Sequence, residues 1–403
     1  MPLPFGLRAL AHRDYRLVWC GLGVSLVGTW MQSVAQAWLV LDLTGSPLRL
    51  GLINTLQFAP LLVLSLLGGA LSDRVRKRRL VLATQSALML QAAALAALAW
   101  TGRVEYWHVA ALALVYGVAV GLDMPARQAF VVDLVGRADV LSAIALNSMA
   151  FNTARVVGPA LGGALVARFG PPVAFSLNAA SFVAVIAALS AVRTEGAPRR
   201  VGGTTVRQEL VEAIRYATGT PHVALVLGLL LSVCVFVVNY TVLVPLIARQ
   251  ALGLDATGFG LLMACHGSGA LVGALALALF GGTRPPIRVV IGAGLVVSGA
   301  TAALALAGPV WWTAGLLLVA GSAQIVFIAS CNTTLQVTAP EELRGRVMGL
   351  YVLMVAGSAP FGALFVGTVA ERWGPLAACA AGGGLGLLLV AGQALRWARR
   401  SRP

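Results

Sequence analysis

The chain has 403 residues, of which 59% are hydrophobic and 11% are charged. A water-soluble domain carries about 45–50% apolar and about 25% charged residues, so this sequence lacks the polar surface that a soluble enzyme or a nucleic-acid-binding protein needs. Its net charge of +15, from 29 Lys and Arg against 14 Asp and Glu, sits mostly between long apolar runs, the pattern of cytoplasmic loops in a membrane protein.

A membrane-spanning helix takes about 20 apolar residues. Runs of that kind occupy positions 17–41, 48–71, 80–101, 107–128, 141–168, 173–192, 222–248, 257–280, 287–307, 311–334, 346–370 and 376–396. The first run continues to about residue 41 without a small-residue cleavage site, so it reads as a span and not as a leader. Ser46-Pro47 and Asp255 stand where the second and eighth helices need N-caps. After the sixth run comes a long polar segment, 193–220, with Pro198, Gly202, Gly203 and several Arg. Its second part, Val206 to Ala217, places Leu210, Ile214 and Ala217 on one face and is expected to form a helix along the membrane surface. The expected organisation is therefore a six-helix bundle over 1–192, a cytoplasmic linker over 193–220, and a second six-helix bundle with a basic tail over 221–403.

The two halves look related. Gln128 to Asp139 precedes the fifth run, and Cys331 to Glu342 precedes the eleventh at an equivalent place. Twelve helices in two pseudo-symmetric bundles is the design of many secondary transporters. The basic residues set the orientation: 23 fall on the side of the N-terminus, the linker and the tail, five fall on the other side, and Arg155 falls within a span. Both termini are expected in the cytoplasm of a bacterial cell, with the chain in the inner membrane. The five Cys lie apart inside apolar runs and read as small apolar fillers. No metal-ligand spacing, nucleophile–base constellation or Walker-type loop occurs, so neither an enzymatic reaction, a cofactor, a metal nor direct use of ATP is expected.

Polar residues within spans usually face protein or water. Arg155 lies about 14 residues into the fifth run, near mid-membrane at about 1.5 Å per residue. Two readings stand for it: a contact for an anionic substrate, or a structural bond to another helix. Ser148, Asn152, Arg155, Pro159 and Gly162 share one helical face, and Ser25, Thr29, Gln32 and Gln36 share another on the first run. Both faces are expected to line a central cavity, with interhelical hydrogen bonding as the alternative. The second half offers Asn239, Tyr240, Gln324 and Asn332, together with His266. Its unperturbed pKa near 6.5 suits a proton carrier, although a neutral His bonded to a neighbouring helix fits as well.

Three motifs carry a resemblance. Gly69-Ala-Leu-Ser-Asp73-Arg74-Val-Arg76-Lys77-Arg78-Arg79 resembles the loop signature between the second and third helices of the major facilitator superfamily, with Arg76 where a second Gly is usual. Gly158-Pro159-Ala-Leu-Gly162-Gly163 resembles an element of that superfamily's drug and proton antiporters; helix packing alone is the other reading. Asp123-Met-Pro-Ala-Arg127 with Asn152-Thr-Ala-Arg155 is similar to a bacterial branch of drug and siderophore exporters, the one that includes the enterobactin exporter. The resemblance covers nearly the whole chain.

The resemblance implies export of a small molecule by alternating access, with protons as the coupling ion and a monomer as the working unit. It also implies a cytoplasmic gate of Asp73, Arg74, Lys77 and Asp123, while the polar residues within spans, Gln32, Gln36, Asn152, Arg155, Asn239 and Asn332, are the expected substrate contacts. Proton-coupled members commonly carry an Arg in the middle of the fourth helix. The stretch Ala113 to Gly121 has none, so coupling is expected elsewhere, with His266 as the candidate. A lipid or lysolipid transporter of the same fold, a small-solute importer and a non-transporting receptor remain as alternatives.

Overall fold

The structure, a computed structural model, describes residues 5–196, 206–282, 285–306 and 308–400; the side chains of 5, 63, 65–74, 206–211, 213 and 400 lie outside that description. The described residues are almost entirely helical and contain no strand. Within a bilayer no water bonds to the backbone, so each amide must find its partner inside its own helix. In order the helices are α1 (Arg13–Thr44), α2 (Pro47–Arg74), α3 (Lys77–Trp100), α4 (Tyr106–Phe169), α5 (Pro171–Ala191), α6 (Val206–Gly219) and α7 (Pro221–Phe236). Then come α8 (Tyr240–Leu246), α9 (Ala256–Phe280), α10 (Ile287–Ala303), α11 (Val310–Thr338), α12 (Glu341–Gly357), α13 (Ala359–Trp373) and α14 (Pro375–Arg400).

All twelve predicted apolar runs fall on these helices. Ten helical stretches among the described residues are long and apolar enough to cross a membrane. One of them, the 64-residue α4, contains two predicted runs. It is divided at Gly136, whose φ of 71° and ψ of 172° interrupt the helical path; an L side chain rarely adopts that conformation.

Two predicted runs are less regular than their hydropathy suggests. The run 222–248 breaks at Val237–Asn239 and ends in a π-helical turn, Ile247–Ala251. Pro245 lacks the N–H that would continue the ladder, and Leu252 N–H reaches back five residues to Ile247 O at 2.9 Å. The run 346–370 breaks at Ser358, just before Pro360. The expected linker helix is present as α6, with Ala217 buried and Ile214 47% exposed. Leu210 lies outside the described side chains. Glu212 of α6 pairs with Arg346 at 2.6 Å.

Contacts sort the chain into two compact units. Unit 1 comprises Met1–Gly45, Leu56–Val201 and Asp255–Ala264. In it α1 packs on α4 and α5, and α3 on the same two helices, around Tyr15, Phe130, Phe182 and Leu189. Unit 2 comprises Ser46–Thr55, Gly202–Leu254 and Cys265–Pro403. There α10 packs on α11 and α14, around Leu229, Val233, Phe327 and Val390.

Both expected N-caps form. Asp255 Oδ1 accepts the Gly258 N–H at 2.9 Å, and Ser46 Oγ accepts the Arg49 N–H at 3.2 Å. Ser46 Oγ also donates to Glu371 Oε2 at 2.8 Å, and the same oxygen accepts the Leu48 N–H at 3.0 Å. Glu371, on α13, thus serves the positive end of the α2 dipole. Glu371→Ala is expected to destabilise the protein by about 1 kcal/mol, as loss of a charged cap does. The lowered midpoint of thermal unfolding would report it, and Arg372→Ala should leave that midpoint in place.

Candidate functional site

In unit 1 the small-residue element of α4 is a packing surface. A Cβ on Gly162 would lie 2.9 Å from Met31 Cα, and one on Gly158 would overlap the Cβ of Trp30. These two glycines therefore seat α4 against α1. Gly163, one residue on, meets Ala256 O and Gly260 of α9's first turns, while the carbonyl of Pro159 abuts Gly260. Without a hydrophobic drive between helices in lipid, such close approach is what holds them together.

That packing brings the polar face of α1 onto neighbouring helices. Gln32 is 3% exposed. Its Nε2 donates to Gln91 Oε1 at 3.0 Å, and its Oε1 accepts from Asn178 Nδ2 at 2.7 Å. Ser181 Oγ donates to the Asn178 carbonyl at 2.7 Å. Gln32 thus joins α1, α3 and α5 through one buried network. Gln36, a turn further along, is buried as well. Asn152 is half-buried and donates to Ser148 O at 2.8 Å, and Arg155 beside it is half-buried.

Gln91 and Asn178 were missed by sequence reasoning. The signal was there, since each is a polar residue inside an apolar run, but nothing in the sequence pairs them with α1. Gln32→Leu should unfold the protein at a lower temperature, by about 1–3 kcal/mol, because it leaves two buried amides without their partner. The double replacement Gln32→Leu with Asn178→Leu should cost less than the sum of the singles. A double-mutant cycle on the unfolding midpoint checks this.

At the other end of unit 1 the predicted gate is partly visible. Asp73 and Arg74 lie outside the described side chains. Asp123 is 3% exposed. Its Oδ1 accepts from Thr84 Oγ1 at 2.8 Å and Gln85 Nε2 at 3.0 Å. Its Oδ2 lies 3.3 Å from Arg127 Nε. Lys77, also buried, places Nζ 2.6 Å from Asp133 Oδ2. Asp123 and Lys77 are thus each neutralised by a partner outside the four predicted gate residues. A carboxylate or ammonium taken out of water needs such a partner.

In unit 2, Asn239 sits at the α7–α8 break and donates to Val235 O at 2.8 Å. Its side chain fills the space that the missing side chain of Gly362 leaves on α13, so the two helix breaks lie against each other. Tyr240 follows at once. Its hydroxyl is 2.5 Å from Thr301 Oγ1 on α10, and its ring lies 4.2 Å, centroid to centroid, from that of His266 on α9. His266 is 2% exposed. Gln324 is buried on α11, the helix whose Gly321 lies against the His266 carbonyl. Asn332 is further along α11, where Oδ1 accepts from Gln336 Nε2 at 2.5 Å.

Paired helix breaks, polar clusters buried among apolar helices and small-residue crossings are the features of a polytopic membrane protein. Residues 6–401 match the transmembrane secretion effector (MFS_3) family. The chain belongs to that family, within the major facilitator superfamily, and is a multi-pass membrane protein. It is 28% identical over 356 residues to the multidrug efflux pump Tap of Mycolicibacterium fortuitum, covering 86% of this chain and 87% of that protein. It is 27% identical over 402 residues to the enterobactin exporter EntS of Salmonella choleraesuis, covering 97% and 95%. Among solved structures, a POT family transporter in complex with a thioalcohol-conjugated peptide aligns with a TM-score of 0.78 at 12% identity, over 97% of both chains. That likeness is one of fold.

Proposed function

We propose that this protein exports a small molecule from the cytoplasm, of the lipophilic drug-like or siderophore type, by alternating access coupled to proton entry. The observation that carries the reading is the match of residues 6–401 to a secretion effector family, supported by full-length similarity to an efflux pump and a siderophore exporter. The halves that rock are 1–192 and 221–403, joined by the linker 193–220, with both termini in the cytoplasm of a bacterial inner membrane. Gln36, Asn152 and Arg155 from the first half and Asn239 and Asn332 from the second are the substrate contacts. Gln32 joins them by holding α1 in place.

His266 is the proton carrier. It is buried against Tyr240, and histidine is the side chain whose unperturbed pKa lies nearest neutral pH. Asp73, Arg74, Lys77 and Asp123 form the cytoplasmic gate, with Asp133 and Arg127 as its charge partners. The working unit is a monomer.

The test is proton movement in inside-out vesicles whose lumen has been acidified. A pH-sensitive dye follows the lumen while lipophilic cations, anionic chelators and lysolipids are added in turn. One class should alkalinise the lumen as it enters, and His266→Ala should abolish that response while labelled substrate still binds. Uptake of labelled compound with no proton movement would overturn the coupling. Net flow of compound out of such vesicles would overturn the direction.

A further inference from the structure

A pocket of about 210 Å³ opens at the start of α3, lined by Arg76, Arg78, Arg79, Leu82 and Glu195. It uses none of the residues assigned to transport. Three arginines and one carboxylate line it, and Arg76 engages that carboxylate at 2.6 Å. Arg78 is held in a set position: Nε donates to Leu189 O and Nη2 to Ser190 O, both at 2.7 Å, at the end of α5. The first amides of α3 are already taken, since Lys77 N–H donates to Gly196 O and Arg78 N–H to Glu195 O. The lysine charge is met by Asp133. The positive charge left over therefore rests on the arginines of the pocket.

That charge is also badly placed for the helix alone. Lys77, Arg78 and Arg79 occupy the first turn of α3, which carries no acidic residue. The positive end of a helix dipole disfavours cations there. The positive-inside rule accounts for arginines on this side of the membrane, but not for their convergence on one cavity. Leu82 lines the pocket where the apolar run of α3 begins, so the site suits an occupant that joins an anionic group to an apolar one.

We propose that this pocket binds the phosphate of an anionic phospholipid, of the phosphatidylglycerol class. Arg78 and Arg79 hold the phosphate oxygens, and Leu82 meets the first methylenes of the acyl chains. Planar guanidinium groups suit phosphate oxygens through paired N–H donors.

The experiment uses the purified full chain in detergent, with dioleoyl phosphatidylglycerol and dioleoyl phosphatidylcholine as probes and lipid retention followed by native mass spectrometry. Phosphatidylglycerol should be retained at least about five-fold better, and Arg79→Gln should lower its affinity about five-fold, the scale expected for one Arg at an anionic surface. Arg344→Gln makes the same charge change on α12 and should leave retention as it was. Equal losses in both variants would reduce the effect to net charge and overturn the site. Equal retention of the two lipids by the native protein would overturn it too. So would displacement of the lipid by millimolar inorganic phosphate, which would assign the pocket to a soluble anion.

Discussion

Gly321→Val will leave little folded protein, and what remains will unfold at a lower temperature by the equivalent of about 3 kcal/mol, the upper end for overpacking. The reason is the crossing of α9 and α11 in unit 2. A Cβ at Gly321 would overlap the carbonyl oxygen of His266, one at Gly269 that of Leu318, and one at Gly273 that of Ser322. These are backbone atoms, so no side chain can swing away. Ser322 Oγ adds a 2.7 Å hydrogen bond to Gly269 O, made possible by the same close approach. Valine would force the helices apart along this seam and move His266 with them. Gly315→Ala, on the same helix where a Cβ meets open space, should be neutral or raise stability by up to about 1 kcal/mol. The yield of monodisperse protein and the unfolding midpoint decide the matter. A native midpoint for Gly321→Val would mean that the helices are not in backbone contact.

Arg155→Ala is expected to reduce transport at least ten-fold while the protein stays folded. Arg155 is half-buried on the second half of α4, whereas α4 is seated on α1 by Gly158 and Gly162. Removing the Arg leaves both of those glycines in place. A hydrogen bond to a charged group is worth about 1.5–3 kcal/mol, which is about ten- to a hundred-fold in affinity. Arg155→Lys keeps the charge but loses the planar fork, so partial activity is expected of it. Vesicle flux and thermal unfolding are measured on the same preparations. Full flux in folded Arg155→Ala would remove the residue from the substrate path. A fall in stability matching the loss of flux would make its role structural.

Much of this molecule was legible in one dimension. The bilayer as solvent, the apolar runs, the helix α6 and the N-caps Ser46 and Asp255 all follow from local composition. So does the position of the small-residue element, although its role as a two-sided seam for α1 and α9 needed the packing. The family motifs pointed to the superfamily to which the chain belongs. Breaks were harder to read. Pro245 and Pro360 were visible, but hydropathy carries straight through both, because a broken helix buried among others keeps its apolar side chains.

What the tertiary structure alone decided is which polar group meets which. Gln32 bonds to Gln91, 59 positions away, and to Asn178, 146 away. Asp123 takes Thr84 and Gln85, Lys77 takes Asp133, and Glu371 caps a helix 325 residues earlier. A soluble helix announces its buried side by contrast with a polar one. These helices meet lipid on one side and apolar protein on the other, and the two differ little in hydropathy. The helical period tells which residues share a face, but the neighbour that face receives is chosen by close packing, where a glycine on one helix admits the backbone of the next.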